Sequence, residues 1–343
     1  MTDNHTNSTI VECIIGIHIK ERILEDTCRE IKDKGGFHAV SLEDTYAIAH
    51  RYSDAYAAEH FGQLQSERMT YLFRRNVREL DMVVQELWQE LQESSFEPVD
   101  FEVNFGSDGD LPPIAIPNKG MQAILRGFID RMDTWVNGQT TYYRVVDYKT
   151  GKKDFDYCDM FNGVGLQMLL YMFALRESGE EALGQHPIPA GVQYFPARVP
   201  YLPSEGMLDD AAAEKERRSQ WKRRGLLLQD SAVLQAMEPG EQPSRMCYTV
   251  KKDGSYSGDL ADRDQLKLLE RYVFHIIGNL VDDIASGNVA ANPYSRGSSH
   301  NACAFCPYAS ICHPETLSDR RNYKAMTSQR FWEEIGKEMQ KHG

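Results

Sequence analysis

An acid and a base stand two positions apart at the end of an apolar stretch. The segment VVDYKTG, residues 145–151, begins as a buried strand would and then presents Asp147 and Lys149. Residues two apart in a strand point to the same face of a sheet. Carboxylate oxygens are preferred ligands of Mg²⁺, and a neighbouring lysine can orient an attacking water or offset developing charge. The pair therefore suggests metal-assisted hydrolysis, with a strand-end ion pair as the structural alternative.

A hairpin supplies a second carboxylate. Residues 121–133 and 141–149 read as two strands around Asn137-Gly138, a dipeptide typical of a two-residue hairpin loop. That loop makes Asp130 face Val145 and places it diagonal to Asp147 on one face of the sheet. Diagonal neighbours are about 7 Å apart, within reach of a shared cation. The sequence therefore predicts two carboxylates and a lysine at one end of the hairpin.

Hydrophobic periodicity predicts the elements that hold this hairpin. Strands are expected at 96–106 and 190–197 in addition to the two hairpin strands. Helices are expected at 17–33, 64–93, 157–177 and 264–286, the last ended by Gly287. A basic helical insertion is expected over residues 211–228, and two short strands are expected around the turn in 247–258. The order strand, strand, helix, strand indicates an α/β core.

Composition bounds the class of protein. The chain has 343 residues, 41% of them hydrophobic and 26% charged, which is typical of a globular protein. It lacks a run of eighteen apolar residues, a secretory signal and a GxxxxGK[ST] loop, so we expect a cytoplasmic protein that neither spans a membrane nor drives a motor with ATP. The net charge of −13 argues against general coating of nucleic acid. A local basic groove stays possible: Lys215 to Arg224, with Trp221 among them, could contact DNA or form a solvated helix face.

Three cysteines near the end of the chain have metal-ligand spacing. Cys303, Cys306 and Cys312 form C-x2-C-x5-C in a chain of seven cysteines without an export signal. Such thiolates bind zinc or an iron–sulfur cluster. The fourth ligand is open. The candidates are Cys13, Cys28, Cys158 and Cys247, or His300 and His313 if the metal is Zn²⁺.

Three segments, GFIDRMD, VVDYKTGKKDF and GLQMLLYMFAL, occur in the order and at the spacings of a known family. Together they resemble the nuclease domain of RecB- and AddB-type helicase–nuclease subunits in the PD-(D/E)xK superfamily, over roughly residues 64–323. The resemblance implies an α/β restriction-endonuclease-like core, a mixed central sheet flanked by helices, with a helical N-terminal region and a C-terminal cysteine-cluster tail. We expect the N-terminal region at 1–95, the nuclease core at 96–200, the basic insertion and closing helix at 201–290 and the tail at 291–343.

The resemblance also implies roles for individual residues. Asp130 and Asp147 would be ligands of Mg²⁺ or Mn²⁺, the backbone carbonyl of Tyr148 a further ligand, and Lys149 the catalytic lysine. Gln167 and Tyr171 match the family's Q-x-x-x-Y and would position the DNA strand or the lysine.

Two weaker metal-ligand candidates are Glu102 and His18. Glu102 stands in the predicted strand FEVNFG, where a strand-end acid with no metal is the alternative. Family members carry a helix-borne histidine in a G-x-x-x-H setting, whereas Gly16 and His18 are only two positions apart here. Phe128 stands where the family has an arginine.

The family's cysteines hold a [4Fe–4S] cluster with one partner upstream of the core, which favours Cys13 here; zinc is the alternative. By resemblance we expect a divalent-metal-dependent DNA exonuclease that acts on single-stranded ends in double-strand break repair and recombination, fed by a helicase partner. The alternatives are a catalytically impaired scaffold stabilised by iron–sulfur or zinc, and a CRISPR- or replication-type exonuclease of the same superfamily. The chain would be a standalone nuclease domain or a fragment of a longer subunit.

Overall fold

The computed structural model describes residues 20–61, 67–106, 109–117, 122–151, 153–177, 183–199, 209–298, 300–304, 306–314 and 320–342. The helices are α1 (20–33), α2 (Leu42–Phe61), α3 (Glu67–Glu93), α4 (Tyr157–Phe161), α5 (Gln167–Glu177), α6 (Asp210–Trp221), α7 (Ser231–Met237), α8 (Arg263–Ala285), α9 (Ala309–Cys312) and α10 (Ser328–His342). The strands are β1 (Glu97–Phe105), β2 (Ile114–Pro117), β3 (Gln122–Leu125), β4 (Gly127–Asn137), β5 (Thr140–Lys149), β6 (Ile188–Pro196), β7 (Arg224–Leu228), β8 (Tyr248–Val250), β9 (Tyr256–Gly258), β10 (Leu260–Ala261), β11 (Tyr294–Ser295) and β12 (Arg321–Asn322). A short 3₁₀ helix, Phe37–Ala39, precedes α2.

A six-stranded sheet in the order β1-β4-β5-β6-β7-β10 forms the centre of the first of two compact units. Strands β1, β4 and β5 are antiparallel neighbours, β5 and β6 are parallel, β6 and β7 are antiparallel, and β7 and β10 are parallel. This mixed sheet confirms the predicted α/β core.

Strand β5 is buried on both faces, as its sequence TTYYRVVDYK predicts for a strand between two others. On one face Val146 and Tyr148 join the apolar core formed with α1, α2 and α3. On the opposite face the Tyr143 hydroxyl donates to the carbonyl of Met172 in α5, over 2.8 Å. Helices therefore cover both faces of the sheet, in agreement with the predicted layers.

The long helix α3 confirms the helix predicted over 64–93. Its apolar residues recur at helical spacing, and those that enter the core are almost fully buried: Leu80, Val83, Val84, Leu87 and Leu91. The strands predicted at 96–106 and 190–197, the short pair around 247–258 and the helix ended by Gly287 also occur in the structure. Gly287 has φ of 73°, which suits the residue after a helix end.

Two predicted helices were too long. The helix expected over 157–177 is interrupted between α4 and α5, where Gly163 and Gly165 have φ of 80° and 72°. Positive φ is incompatible with a right-handed helix. The helix expected over 211–228 ends at Trp221, and the following Arg-Gly-Leu-Leu-Leu forms β7 in the sheet. Pairing with β6 wins there over local helix propensity.

The second compact unit comprises residues 114–125, 156–170 and 264–343. The Tyr272 hydroxyl of α8 donates to the carbonyl of Phe161 at the end of α4 over 2.7 Å. The Tyr157 ring of α4 packs on Phe331 of α10, with ring centroids 5.2 Å apart. The four-region division expected from the sequence stays a prediction. Among the described residues, no helix is long and apolar enough to cross a bilayer.

Candidate active site

The hairpin register differs from the predicted one. Asn137 pairs with Thr140, so the two-residue turn is Gly138-Gln139, and Gly138 supplies the positive φ of 64° at its first position. The prediction that Asp130 faces Val145 was wrong, because Asn137 continues the ladder for one more pair. Extending the observed register past Arg131↔Val146 sets Asp130 directly opposite Asp147. Facing residues share one side of a sheet, so the two carboxylates converge more closely than predicted.

One level of the central sheet carries a row of polar side chains. The register on either side of Glu102 in β1 sets it opposite Asp130 in β4. Asp147 in β5 then pairs with Tyr194 in β6, and Tyr194 pairs with Arg224 in β7. The row thus runs from three acids through a tyrosine to an arginine, across five adjacent strands.

The surroundings of Asp130 disfavour the charged form of its carboxyl group. Its Oδ2 accepts a hydrogen bond from the backbone N–H of Tyr148 over 2.8 Å. Burial raises the pKa of Asp130 to about 7, and the facing Asp147 carboxylate and Glu102 contribute to that rise against the opposing effects of the hydrogen bond and Lys149. A half-buried and a buried carboxylate that face each other repel, so a cation bound between them would be favoured.

Asp147 and Lys149 form an ion pair on the same face. The Lys149 ammonium contacts Oδ2 of Asp147, whose side chain is only 8% exposed, while that of Lys149 is 37% exposed. Burial raises the pKa of the Asp147 carboxyl, and Lys149 and then Lys153 oppose that shift. Lys149 therefore touches a buried acid and remains reachable from solvent.

Glu102 adds a third acid to the row, and its backbone has an unusual conformation. It has φ of 51°, in the left-handed region that costs a residue with a side chain about 1–3 kcal/mol. Burial raises the pKa of Glu102, and Glu25 of α1 raises it further, whereas Arg22 and Arg29 lower it. Glu25 is itself buried and accepts a hydrogen bond from Arg29 over 2.9 Å.

Neither Glu25 nor Tyr194 was predicted as a site residue. Tyr194 could have been found from the β5–β6 register, since it follows from pairing with Asp147. Glu25 joins the site only because α1 packs beside β1, and no spacing in the sequence predicts that contact.

The side chain of Tyr148 enters a buried ionic network. Its hydroxyl accepts from Nη1 of Arg131 over 3.0 Å, and Arg131 also bonds to Asp133. Arg144 bridges Asp133 to Glu90 of α3 over 2.8 and 3.0 Å. All five side chains are almost fully buried, so this network ties the hairpin that bears the two aspartates to a long helix.

Tyr171 is buried in the first unit, where its ring stacks on Phe105 with centroids 5.6 Å apart. Its hydroxyl lies against Gly127, at the start of the strand that carries Asp130. Gln167 is exposed and belongs to the second unit. The roles predicted for both residues stay predictions. His18 and Cys13 lie outside the described residues.

The donor set suits a hard divalent cation. Two facing carboxylates with a raised pKa are the oxygen ligands such a cation prefers, and its charge would relieve their repulsion. In the part of the chain that the structure describes, no group of three or more His, Cys, Asp or Glu side chains is arranged to hold a metal. The aspartate pair therefore needs other donors, such as a backbone carbonyl or the substrate, to complete a cation site.

The three tail cysteines are all at least partly accessible to solvent, whereas Cys28 and Cys158 are buried. Cys303 and Cys306 are half-buried and Cys312 is exposed. Cys28 lies in the apolar core, and burial raises the pKa of its thiol to about 12. Cys158 donates to the carbonyl of Lys324 over 3.0 Å. Cys247 is half-buried, as Cys303 and Cys306 are, and burial raises the pKa of its thiol to about 12.

The two histidines flanking the cysteines are placed differently. Nε2 of His300 lies 3.0 Å from Oδ2 of Asp159 in α4. Arg296 reaches Asp159 and Asp156 from the same segment, with nitrogen–oxygen distances of 3.3 and 2.8 Å. His313 takes the left-handed conformation at the end of α9. These ion pairs hold the segment before the cysteines on α4, within the second unit.

Comparison with known proteins identifies the family of the chain. Residues 36–313 match the family model described as the PD-(D/E)XK nuclease superfamily. Among curated proteins, the chain is similar to AddB-type subunits of the ATP-dependent helicase/deoxyribonuclease. That of Acetivibrio thermocellus is 36% identical over 270 residues, which are 77% of this chain and 24% of the relative. Those of Clostridium acetobutylicum (31% over 285 residues, 81% of this chain and 25% of the relative) and Clostridium novyi (30% over 324 residues, 91% and 28%) are similar too. The chain spans about a quarter of the length of these relatives.

Proposed function

Since the chain belongs to the PD-(D/E)XK nuclease superfamily, we propose that it is a divalent-metal-dependent deoxyribonuclease whose active site is the polar row of the central sheet. The observation that carries the proposal is the facing pair Asp130 and Asp147, with Lys149 in contact with Asp147. Burial and mutual repulsion prepare the two carboxylates for a cation, and the lysine supplies a reachable positive charge.

Asp130 and Asp147 would hold the cation, which is Mg²⁺ or Mn²⁺ and supplies Lewis-acid stabilisation of the phosphoryl oxygens. The N–H of Tyr148 fixes the Asp130 carboxylate, leaving its other oxygen for ligation. The N–H and C=O of one strand residue point the same way, so the carbonyl of Tyr148 also faces β4 and suits the predicted role of further ligand. Glu102 would border the site, on the side opposite Tyr194.

The reaction is hydrolysis of a phosphodiester. Water attacks phosphorus and releases a proton to solvent, one P–O ester bond breaks, and the leaving oxygen takes up a proton from solvent. Lys149 would orient the attacking water and stabilise the negative charge that grows on the phosphoryl oxygens. Gln167 and Tyr171 keep their predicted role of positioning the strand or the lysine.

We propose DNA with single-stranded ends as the substrate and a helicase as the partner that delivers it, in double-strand break repair and recombination. The support is the name of the relatives, which joins helicase and deoxyribonuclease. The chain matches about a quarter of the length of those relatives, so the helicase activity in their name is theirs and is only proposed here as that of a partner.

A second metal site is proposed for the tail. Cys303, Cys306 and Cys312 would hold a [4Fe–4S] cluster with Cys13, or Zn²⁺ as the alternative. Their spacing and accessibility support the proposal, because Cys28 and Cys158 are buried in packing and hydrogen bonding and Cys247, which is half-buried as Cys303 is, lies outside the motif. The described residues alone do not complete this site.

The experiment is cleavage of end-labelled DNA by the purified chain, with Mg²⁺, with Mn²⁺ and with EDTA. Single-stranded and blunt duplex substrates are compared. We expect cleavage of the single strand that requires the metal and is lost in Asp147→Asn. Asp253→Asn, an exposed acid in the β8–β9 turn, is the matched control and should cleave normally.

Equal cleavage by Asp147→Asn and the wild type would place the active site elsewhere. If the folded wild type leaves both substrates intact with either metal, the catalytically impaired scaffold is the correct function. Cleavage that favours duplex over single-stranded ends would overturn the proposed substrate while keeping the nuclease.

A further inference from the structure

A pocket of about 570 Å³ opens beside the aspartate pair in the first unit. Lys149 at the end of β5 and Tyr194 in β6 form one side of it, and the residues around the end of α6 form the other. Its size is typical of a small-ligand site, but its lining is largely charged, in contrast to the apolar lining of most such sites.

Positive charge is concentrated in this pocket. Five lysines and arginines line it, against two acids, in a chain whose net charge is −13. The cations are Lys149, Lys153, Arg198, Lys222 and Arg224. A cluster of one sign in a cleft raises the local concentration of the opposite charge, so the pocket selects an anionic ligand.

The extended backbone of residues 222–224 directs the side chains of this basic run alternately into the core and into the pocket. At the start of β7, Arg223 points inward, is 1% exposed and bonds to Glu90 over 2.6 Å and to Glu86 over 3.2 Å. Its neighbours Lys222 and Arg224 line the pocket, as alternation along an extended chain requires. Lys222 and Arg224, two of the five cationic side chains of the pocket, are therefore positioned by the buried Arg223 between them.

The two arginines that precede this run in α6 lie on a different surface of the protein. Arg217 and Arg218 of α6 each pair with Glu214, over 3.1 and 2.9 Å, and line a different surface pocket. The chain thus offers two pairs of basic residues, nearly adjacent in sequence and on different surfaces, of which only Lys222 and Arg224 lie beside Lys149.

The pocket is built to contact backbone phosphate and lacks an aromatic platform among its described residues. Trp221 was predicted as a possible base contact, but it is 7% exposed and packs on Phe195, with ring centroids 6.5 Å apart. Tyr194 is equally buried, and the Lys153 ammonium lies 5.8 Å from the centre of its ring. Within the described lining, bases therefore have no exposed ring on which to stack, whereas cationic side chains are plentiful.

We propose that this pocket holds the phosphodiesters next to the scissile one, on a single strand that enters the active site. Lys222 and Arg224 contact the backbone, and Asp154, which lies 3.6 Å from Arg224, competes with the phosphate for it. The pocket recognises the charge and the spacing of the backbone phosphates, so binding is independent of base sequence. This inference rests on the proposed nuclease function for its substrate, but the binding itself requires no cleavage.

The test measures binding of a fluorescent oligothymidylate by anisotropy, over a salt series in EDTA. All variants are made in the full chain carrying Asp147→Asn, so cleavage does not enter. Lys222→Gln with Arg224→Gln should weaken binding about tenfold and flatten the slope of log K against log salt by about 1.4, since each lost phosphate contact contributes about 0.7. Asp154→Asn should bind more tightly than the parent.

The matched control is Arg217→Gln with Arg218→Gln, which removes the same charge from the other surface and should leave the slope unchanged. An equal loss in both double variants would mean bulk electrostatics and overturn the pocket. An unchanged slope in Lys222→Gln with Arg224→Gln, at wild-type melting temperature, would overturn it too. Competition by inorganic phosphate as effective as by oligothymidylate would reassign the pocket to a free anion. If the wild type fails to cleave DNA while the slope changes as expected, only the proposed function fails.

Discussion

The hydroxyl of Tyr171 lies against the α-carbon of Gly127, so closely that a β-carbon built there would overlap the phenol. Gly127 begins the strand that carries Asp130 three residues later, and Tyr171 lies in α5. Two of the sequence segments that resemble the family, GFIDRMD and GLQMLLYMFAL, thus meet in space. The glycine is required here by the close approach of another side chain, since its own φ is not in the left-handed region.

Gly127→Ala is expected to destabilise the fold by about 1–3 kcal/mol, because overpacking forces the ring or the strand to move. Urea unfolding measures the loss. Gly151→Ala is the control, since its added methyl group meets open space. In the double variant Gly127→Ala with Tyr171→Ala, the total loss should be smaller than the sum of the single losses. Simple additivity would show that the two residues do not compete for this space.

The buried network behind the hairpin leads to a pH-dependent prediction for Glu90. Burial opposes ionisation of Glu90, but Arg223, Arg144 and Arg131 outweigh it and hold its pKa at about 2, below the ordinary 4.5. A depressed acid pKa stabilises the fold above the unfolded value, and this stabilisation is lost as pH falls toward the folded value. Glu90→Gln should therefore cost about 3–5 kcal/mol at neutral pH, the range found when a buried ion pair loses one partner.

The measurement is urea unfolding of wild type and Glu90→Gln between pH 7 and the lowest pH at which both fold. The difference between them should be constant above about pH 4.5 and shrink below it. Glu93→Gln, on the same helix with its side chain half exposed and paired with Arg245, should cost less than about 1 kcal/mol. A Glu90→Gln variant as stable as the Glu93→Gln control would mean that the network contributes nothing to stability.

For Asp130 the predicted dependence of stability on pH has the opposite sign to that for Glu90. Its pKa is raised from 3.8 to about 7, so in the absence of metal its ionisation destabilises the fold increasingly between those values and fully above the upper one. Asp130→Asn should therefore raise the melting temperature at pH 8 in EDTA and approach wild type below pH 4. Added Mg²⁺ should stabilise the wild type and leave the variant unchanged, because binding to the folded state alone is stabilising. A wild type that Mg²⁺ fails to stabilise would contradict the assigned site.

How far the sequence predicts this site depends on the range of the interactions involved. Asp147 and Lys149 follow from strand alternation alone. The shared face of Asp130 survives the wrong turn because the observed register differs from the predicted one by two residues, and residues two apart in a strand point to the same side. The two aspartates lie directly opposite each other because Asn137 pairs with Thr140 instead of lying in the turn. The turn propensity of Asn-Gly does not decide between these two arrangements. Glu25 reaches Glu102 through packing of a helix that is distant along the chain, and only the folded structure contains that information.

The fold was predictable to a similar extent. Long amphipathic segments such as α3 and α8 were predicted within a few residues, because their apolar periodicity is strong. Arg224–Leu228 was assigned to a helix, because a short apolar run after a helical stretch has no period of its own. Its place between β6 and β10 is set by partners elsewhere in the chain.

Lys149→Gln separates chemistry from metal binding. The lysine contacts Asp147 and is not itself a ligand, so calorimetric titration with Mn²⁺ should still show binding. Cleavage should fall about 10²- to 10³-fold, as when one group that stabilises the transition state is removed. Lys251→Gln, exposed in the β8–β9 turn, should retain full activity. Loss of Mn²⁺ binding together with cleavage would make the lysine structural and its assigned role wrong.

The tail cysteines are tested by metal content and by stability. We expect the anaerobically purified chain to be brown and to contain about four irons when the cluster is complete.

A cluster joining Cys306 and its neighbours to Cys13 would close a loop of nearly the whole chain, so Cys306→Ser should lower the melting temperature and expose the tail to protease. Cys247→Ser, at a half-buried thiol outside the C-x2-C-x5-C motif, is the control for metal content and should keep the iron, because the proposed fourth ligand is Cys13. Stoichiometric zinc without iron would replace the cluster with the zinc alternative and keep the link between the two ends of the chain. A metal-free protein whose stability Cys306→Ser leaves unchanged would reject the site, and the three tail thiols would then have no ligand role.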